Sequence, residues 1–147
     1  MTVNLFRQPG AVLVRLIPTT VVVLFLSVSV TAVLAGSEPA SVTGSVNYRE
    51  RIALTPEAVV EVQLLDVSLA DASAKLIARQ TIKPKRQVPI PFELVYDPAD
   101  IDERFTYTVR ATIRERGRLL FTTDRSYRVL TRGSPNNVDL MLVRTSN

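Results

Sequence analysis

Oily and polar residues follow two different rhythms along the chain. From Leu16 to Ala35 it reads LIPTTVVVLFLSVSVTAVLA, twenty residues without a charge. Beyond Gly36 apolar and polar positions alternate with period two over short runs rich in Val, Ile, Thr, Tyr and Phe, separated by Pro, Asp, Asn and Gly clusters. That alternation is the mark of strands with one face in a core and one in water. It predicts strands over Ser41–Arg49, Ala58–Val67, Ala74–Ile82, Val88–Tyr96, Phe105–Glu115, Arg118–Asp124, Ser126–Leu130 and Asn137–Arg144. No stretch offers a helical crossover between parallel strands, so the expected fold is all-β, an Ig-like antiparallel β-sandwich of about seven to eight strands.

The clearest strand is Phe105–Glu115, where Tyr107, Val109, Ala111 and Ile113 alternate with Thr108, Arg110, Thr112 and Arg114. Glu115-Arg116-Gly117 then suits a three-residue hairpin loop with Gly117 in the left-handed conformation. That register pairs Ile113 with Leu119 and Ala111 with Phe121 inside, and sets Arg114 opposite Arg118. A two-residue loop would turn Leu119 and Phe121 to the wet face. Pro89 and Pro91 cannot donate to a ladder, which places Val88–Tyr96 at a sheet edge. The segment from Pro98 to Glu103 reads as a single helical turn or corner, and Lys83-Pro84-Lys85-Arg86 as an exposed basic loop.

The apolar opening reads as an export signal or anchor helix. Basic residues Arg7 and Arg15 precede it, and Val33-Leu34-Ala35-Gly36 supplies the small residues that signal peptidase requires, so cleavage is expected between Ala35 and Gly36. Twenty apolar residues also suffice to span a bilayer, so a retained transmembrane anchor is the alternative. The expected organisation is a signal or anchor over 1–35, a linker over 36–41 and one β domain over 42–147. Leu34-Ala35-Gly36-Ser37 matches the box at which bacterial lipoproteins are cleaved, except that Ser37 stands where the lipidated Cys would be. A hydroxyl cannot replace that thiolate, so no lipidation is expected. The exported chain would be periplasmic, or tethered to the inner membrane and facing the periplasm.

Composition removes most chemistry. With no Cys and no His among 147 residues, thiolate nucleophiles, disulfides, imidazole bases and the commonest zinc ligands are absent. Asp100 and Asp102 are two apart in a polar corner, where Asp more often caps local backbone than performs catalysis. No enzyme activity, metal or cofactor is expected. The 18 Lys and Arg exceed the 14 Asp and Glu by only four, and export carries the domain away from nucleic acid.

Two surfaces remain as candidates. Arg110, Arg114, Arg118, Arg125 and Arg128 concentrate guanidinium groups in the C-terminal half. They could form an anion- or partner-binding face, or an ordinary solvated one. An open edge around Ile90, Phe92 and Leu120 could accept a peptide by strand addition, or the prolines could simply protect it from aggregation.

Several blocks in order carry a resemblance: VTGSVNYRERIALTPEAVVEVQLLDVS from Val42 to Ser68, QVPIPFEL from Gln87 to Leu94, GRLLFTTD from Gly117 to Asp124 and VLTRG from Val129 to Gly133. Together they resemble the YbaY family of bacterial envelope proteins, grouped with the YscW-type pilotins of type III secretion. The resemblance implies a pilotin-like β-sandwich, periplasmic or attached to the outer membrane and usually lipidated, with no catalytic motif. For the pilotin branch it implies a chaperone that escorts a secretin. The chain departs from that pattern at Ser37. The expected function is a non-catalytic envelope module that binds another envelope polypeptide, with a secretin-like protein as the candidate; the alternative is a module for anionic lipid or glycan at the arginine face.

Overall fold

The computed structural model describes residues 38–146, so Ala35, Gly36, Ser37 and the whole apolar segment lie outside the described residues. Eight strands run as β1 Ala40–Tyr48, β2 Ala58–Asp66, β3 Lys75–Ile82, β4 Ile90–Tyr96, β5 Tyr107–Glu115, β6 Arg118–Thr123, β7 Tyr127–Val129 and β8 Asn137–Arg144. Period-two patterning therefore located all eight, with ends shifted by a few residues. Pro98–Asp100 forms the expected corner as one 3₁₀ turn, capped by Asp97, whose carboxylate accepts from the Ala99 amide at 2.9 Å.

The layering differs from two stacked sheets. All strands join one sheet in the order β3-β2-β5-β6-β8-β1-β4, with β7 paired to β5 beyond the end of β6. Strand twist coils a sheet this wide until its edges approach. Here β3 and β4 come side by side, and the Glu93 amide donates to Gln80 Oε1 at 2.8 Å across the seam. The result is a nearly closed barrel around one core. A second departure is the pairing of β1 with β8, which is parallel, whereas every other pair is antiparallel.

The inward rows are those the alternation marks. Val60, Val62 and Leu64 of β2, Tyr107, Val109, Ala111 and Ile113 of β5, and Leu140 and Leu142 of β8 are buried. Tyr48 stacks on Phe121 with ring centroids 4.4 Å apart. Each such side chain contributes roughly 1.5–3 kcal/mol when fully buried.

The β5–β6 hairpin corrects the expected register. The loop has two residues, Arg116 and Gly117, both with positive φ (48° and 80°), the geometry whose twist matches a hairpin. Glu115 pairs with Arg118 and Arg114 with Leu119, yet Ile113 pairs with Phe121. Leu120 is thus an extra residue, a β-bulge that returns Phe121 to the core after the short turn. Thr145 caps it: its amide donates to Leu120 O at 2.9 Å and its hydroxyl to Leu119 O at 2.8 Å. The bulge meets the hydrophobic requirement that had argued for a longer loop. It also replaces the expected Arg114–Arg118 like-charge pair with Glu115 opposite Arg118, the favourable arrangement.

Candidate functional site

Strand alternation decides which arginines share a surface. On the outward side of β5, Arg110 lies opposite Gln63 and Arg114 opposite Val59, while Thr108 lies opposite Arg128 of β7. Arg118 has the other parity and faces Glu115. Arg125 sits in the β6–β7 connection, its Nε donating to the Tyr127 hydroxyl at 3.0 Å and its guanidinium 5.0 Å from that ring. The five arginines do not form one face: Arg110, Arg114 and Arg128 share an outer surface, and Arg118 and Arg125 leave it. Among the described residues none of the five lies in an ion pair. Arg110 and Arg125 do meet across a hollow of 280 Å³ that also includes Thr108, Asp124 and Ser126.

Beside that hollow the sheet is interrupted. β6 pairs with the C-terminal half of β8, and β7 returns to β5, which leaves part of the β8 edge open. Tyr127 fills the opening. Its hydroxyl accepts from the Met141 amide at 2.8 Å and donates to Met141 O at 3.0 Å, so one side chain supplies both ladder contacts. With the bond from Arg125 the phenol oxygen is fully engaged. The same bond holds the Arg125 guanidinium above the usual arginine range. Arg125 is thereby a support for the closure as well as a surface cation.

The candidate peptide edge is rearranged too. Ile90 and Phe92 are buried in the core, and Leu120, the bulge residue, is half-buried against it. The three side chains therefore do not line one outer groove together, although Ile90 borders a hollow under the Lys83–Gln87 loop. What β4 offers outward is Pro91, Glu93 and Val95, beside the seam with β3. Asp100 and Asp102 occupy the corner as backbone and charge partners. Asp102 accepts from the Arg104 guanidinium and amide, which lower its carboxyl to about 2, while its own amide donates to the Tyr107 hydroxyl at 2.9 Å. Among the described residues no group of His, Cys, Asp or Glu could hold a metal ion, and no helix is long and apolar enough to cross a membrane.

The β1–β2 connection was not anticipated from the pattern. It runs across one end of the barrel, with Leu54 buried beneath it. Gln87 from the β3–β4 loop holds it by both backbone groups of one residue, accepting from the Leu54 amide at 2.7 Å and donating to Leu54 O at 3.2 Å. Thr55 bonds Glu115, and Arg116 pairs with Glu57. A hollow of 480 Å³ opens between this strap and the Lys83–Gln87 loop, and a second of 280 Å³ lies on the same loop, walled by residues between Ile82 and Pro91. The basic run in that loop was the sequence signal for both; the larger hollow also needs Leu54, Thr55 and Pro56, which come from a distant part of the chain.

A single coiled sheet, nearly closed into a barrel and crossed at one end by a strap, defines a small all-β domain. Residues 37–142 match the family described as the type III secretion system lipoprotein chaperone (YscW), and the chain belongs to that family. It is 36% identical over 118 residues to the uncharacterized lipoprotein YbaY of Escherichia coli (strain K12), covering 77% of this chain and 62% of that protein's length. The solved structure of an alternative pilotin from the type II secretion system of Vibrio cholerae is similar at a TM-score of 0.72 and 46% identity, over 75% of this chain and all of that one.

Proposed function

We propose that the chain is a non-catalytic module of the cell envelope that holds a segment of another exported polypeptide, secretin-like in kind, and serves it as a chaperone. The observation that supports this most directly is the similarity to a type II pilotin over that pilotin's whole length at 46% identity. Family membership agrees with it, and the described surface offers docking hollows rather than a catalytic constellation. On this reading residues 1–35 export the chain, and Ser37 in place of the acceptor Cys leaves delivery to depend on the protein contact or on a retained anchor.

Crosslinking in intact cells followed by purification tests the proposal. Recovery of one envelope polypeptide in constant ratio supports it, and recovery of no polypeptide from any surface position overturns it. A second reading, binding of anionic lipid or glycan, keeps the support of Arg110, Arg114 and Arg128 on one outer surface without ion-pair partners among the described residues. It requires lipid or glycan in the recovered complex and binding that weakens with salt. Intact mass of the exported protein decides the leader: a chain beginning at Gly36 means cleavage, and full length means a tethered domain.

A further inference from the structure

Charge is segregated along the barrel axis. β1 begins at one end, where the β2–β3, β4–β5 and β7–β8 connections also lie. That end holds Glu38, Asp66, Asp71 and Asp97, and its corner adds Asp100, Asp102 and Glu103; Lys75, Arg104 and Arg132 are its cations. The opposite end is the reverse. The strap brings Arg49 and Arg51, and the β3–β4 loop brings Lys83, Lys85 and Arg86. The hairpin adds Arg116, Arg118 and Arg114, whose guanidinium reaches Gly117 O, and β8 ends on Arg144. Among the described residues, nine cations there face three carboxylates, Glu50, Glu57 and Glu115. Glu57 is already paired with Arg116 and Glu115 is bonded to Thr55.

We infer that this basic end, centred on the hollow under the Lys83–Gln87 loop, docks an acidic polypeptide segment that also carries apolar side chains. This names the chemistry of the partner in the function proposed above and rests on that reading. The hollow of 280 Å³ has Ile82, Pro84, Pro89, Ile90 and Pro91 among its walls, enough to receive one or two aliphatic side chains, and Lys83, Lys85 and Arg86 stand on its rim. All three are exposed, so their charges are free to meet carboxylates. Like charges gathered at one end raise the encounter rate with an acidic partner and disfavour basic ones.

A membrane surface fits this end less well. Lipid-facing basic surfaces carry protruding apolar side chains beside their cations. Of the exposed large apolar residues, Leu69 at 74%, Val95 at 57%, Leu76 and Phe105 belong to the acidic half, and the basic end has the less exposed Ile52 at 42% and Val143 at 37%. A concave site with a basic rim suits a chain segment.

The test uses the full-length chain in detergent micelles, titrated with a short fluorescent peptide of Glu and Leu repeats, its Lys and Leu counterpart, and vesicles containing phosphatidylglycerol. The Glu–Leu peptide is expected to bind, and to weaken about tenfold from low to high salt. Lys83→Glu/Lys85→Glu/Arg86→Glu is expected to weaken it by a further factor of about ten or more. Asp97→Lys/Asp100→Lys at the other end should leave binding unchanged. Circular dichroism checks that each variant stays folded. Equal affinity for the Lys–Leu peptide overturns the inference, as does binding unaffected by the loop reversal, or vesicle binding that is tighter and lost with the same three residues. If the loop-reversed protein still captures its envelope partner in cells, the inference fails while the proposed function stands. If the unaltered protein captures none, the function itself fails.

Discussion

The wall of the barrel is broken in two places, and the repairs differ. Between β7 and β8 the missing ladder contacts come from the buried phenol of Tyr127, which donates to and accepts from the same residue, Met141. Between β3 and β4 the contact comes from the flexible amide of Gln80, which reaches one backbone group, Glu93 N–H, near the surface. A buried polar group without a partner costs far more than an exposed one, since water can replace the partner only outside. The first break should therefore behave as continuous sheet, and the second as the weakest line of the barrel. The seam also carries Pro91, which has no N–H to offer a neighbouring strand.

The largest effect belongs to the junction that has no gap. At Gly44 the wall is so tight that an added Cβ would sit 1.8 Å from Val138 O. Gly44→Ala must push β1 from β8 and should cost about 3 kcal/mol or more in urea denaturation; unchanged stability would mean that the parallel pair is not held as described. Tyr127→Phe comes next. It strands the Met141 amide and carbonyl, with an expected loss of about 2 kcal/mol and faster hydrogen exchange at Met141. A loss no larger than that for Gln80→Ala would erase the contrast between the two repairs. For Gln80→Ala the expectation is about 0.5–1 kcal/mol, with faster exchange confined to Glu93 and its neighbours.

The smallest effect concerns another phenol contact, at the corner where Tyr107 meets Asp102. The Asp102 carboxyl is lowered from an ordinary 3.8 to about 2 by hydrogen bonds from Arg104. A lowered folded-state value means that its contribution is complete above the ordinary value and is lost as pH falls through about 2. Its NMR titration should have a midpoint near the lower value, and Asp102→Asn should remove that part of the acid sensitivity while leaving neutral stability little changed, because the pair is exposed. A midpoint near 3.8 would show that Arg104 does not hold it.

Of the architecture, period-two alternation was sufficient to locate the described strands and the buried sides of β2, β5 and β8, because a side chain's face depends only on its neighbours along the chain. It could not show whether the strands make two sheets or one, since that depends on which edges meet after twist accumulates. The hairpin shows the limit at single-residue scale. The requirement that Phe121 be inside was legible, but a longer loop and a bulge at Leu120 satisfy it equally, and the capping hydroxyl comes from Thr145, 25 residues away. The arginines show the same limit for the site. Arg110 and Arg114 fall on one side by local rule, whereas Arg118 changes sides with the bulge.

Strand content, the inward rows of β2, β5 and β8 and the lack of thiol or imidazole side chains are properties of the chain itself, and the sequence alone determined them. Closure of the barrel, the phenol that completes β8, the burial of Ile90 and Phe92, and the gathering of cations from four separate segments at one end required the tertiary structure. Those features depend on contacts between residues far apart in the chain, and alternation carries no information about which distant strand a given edge will find.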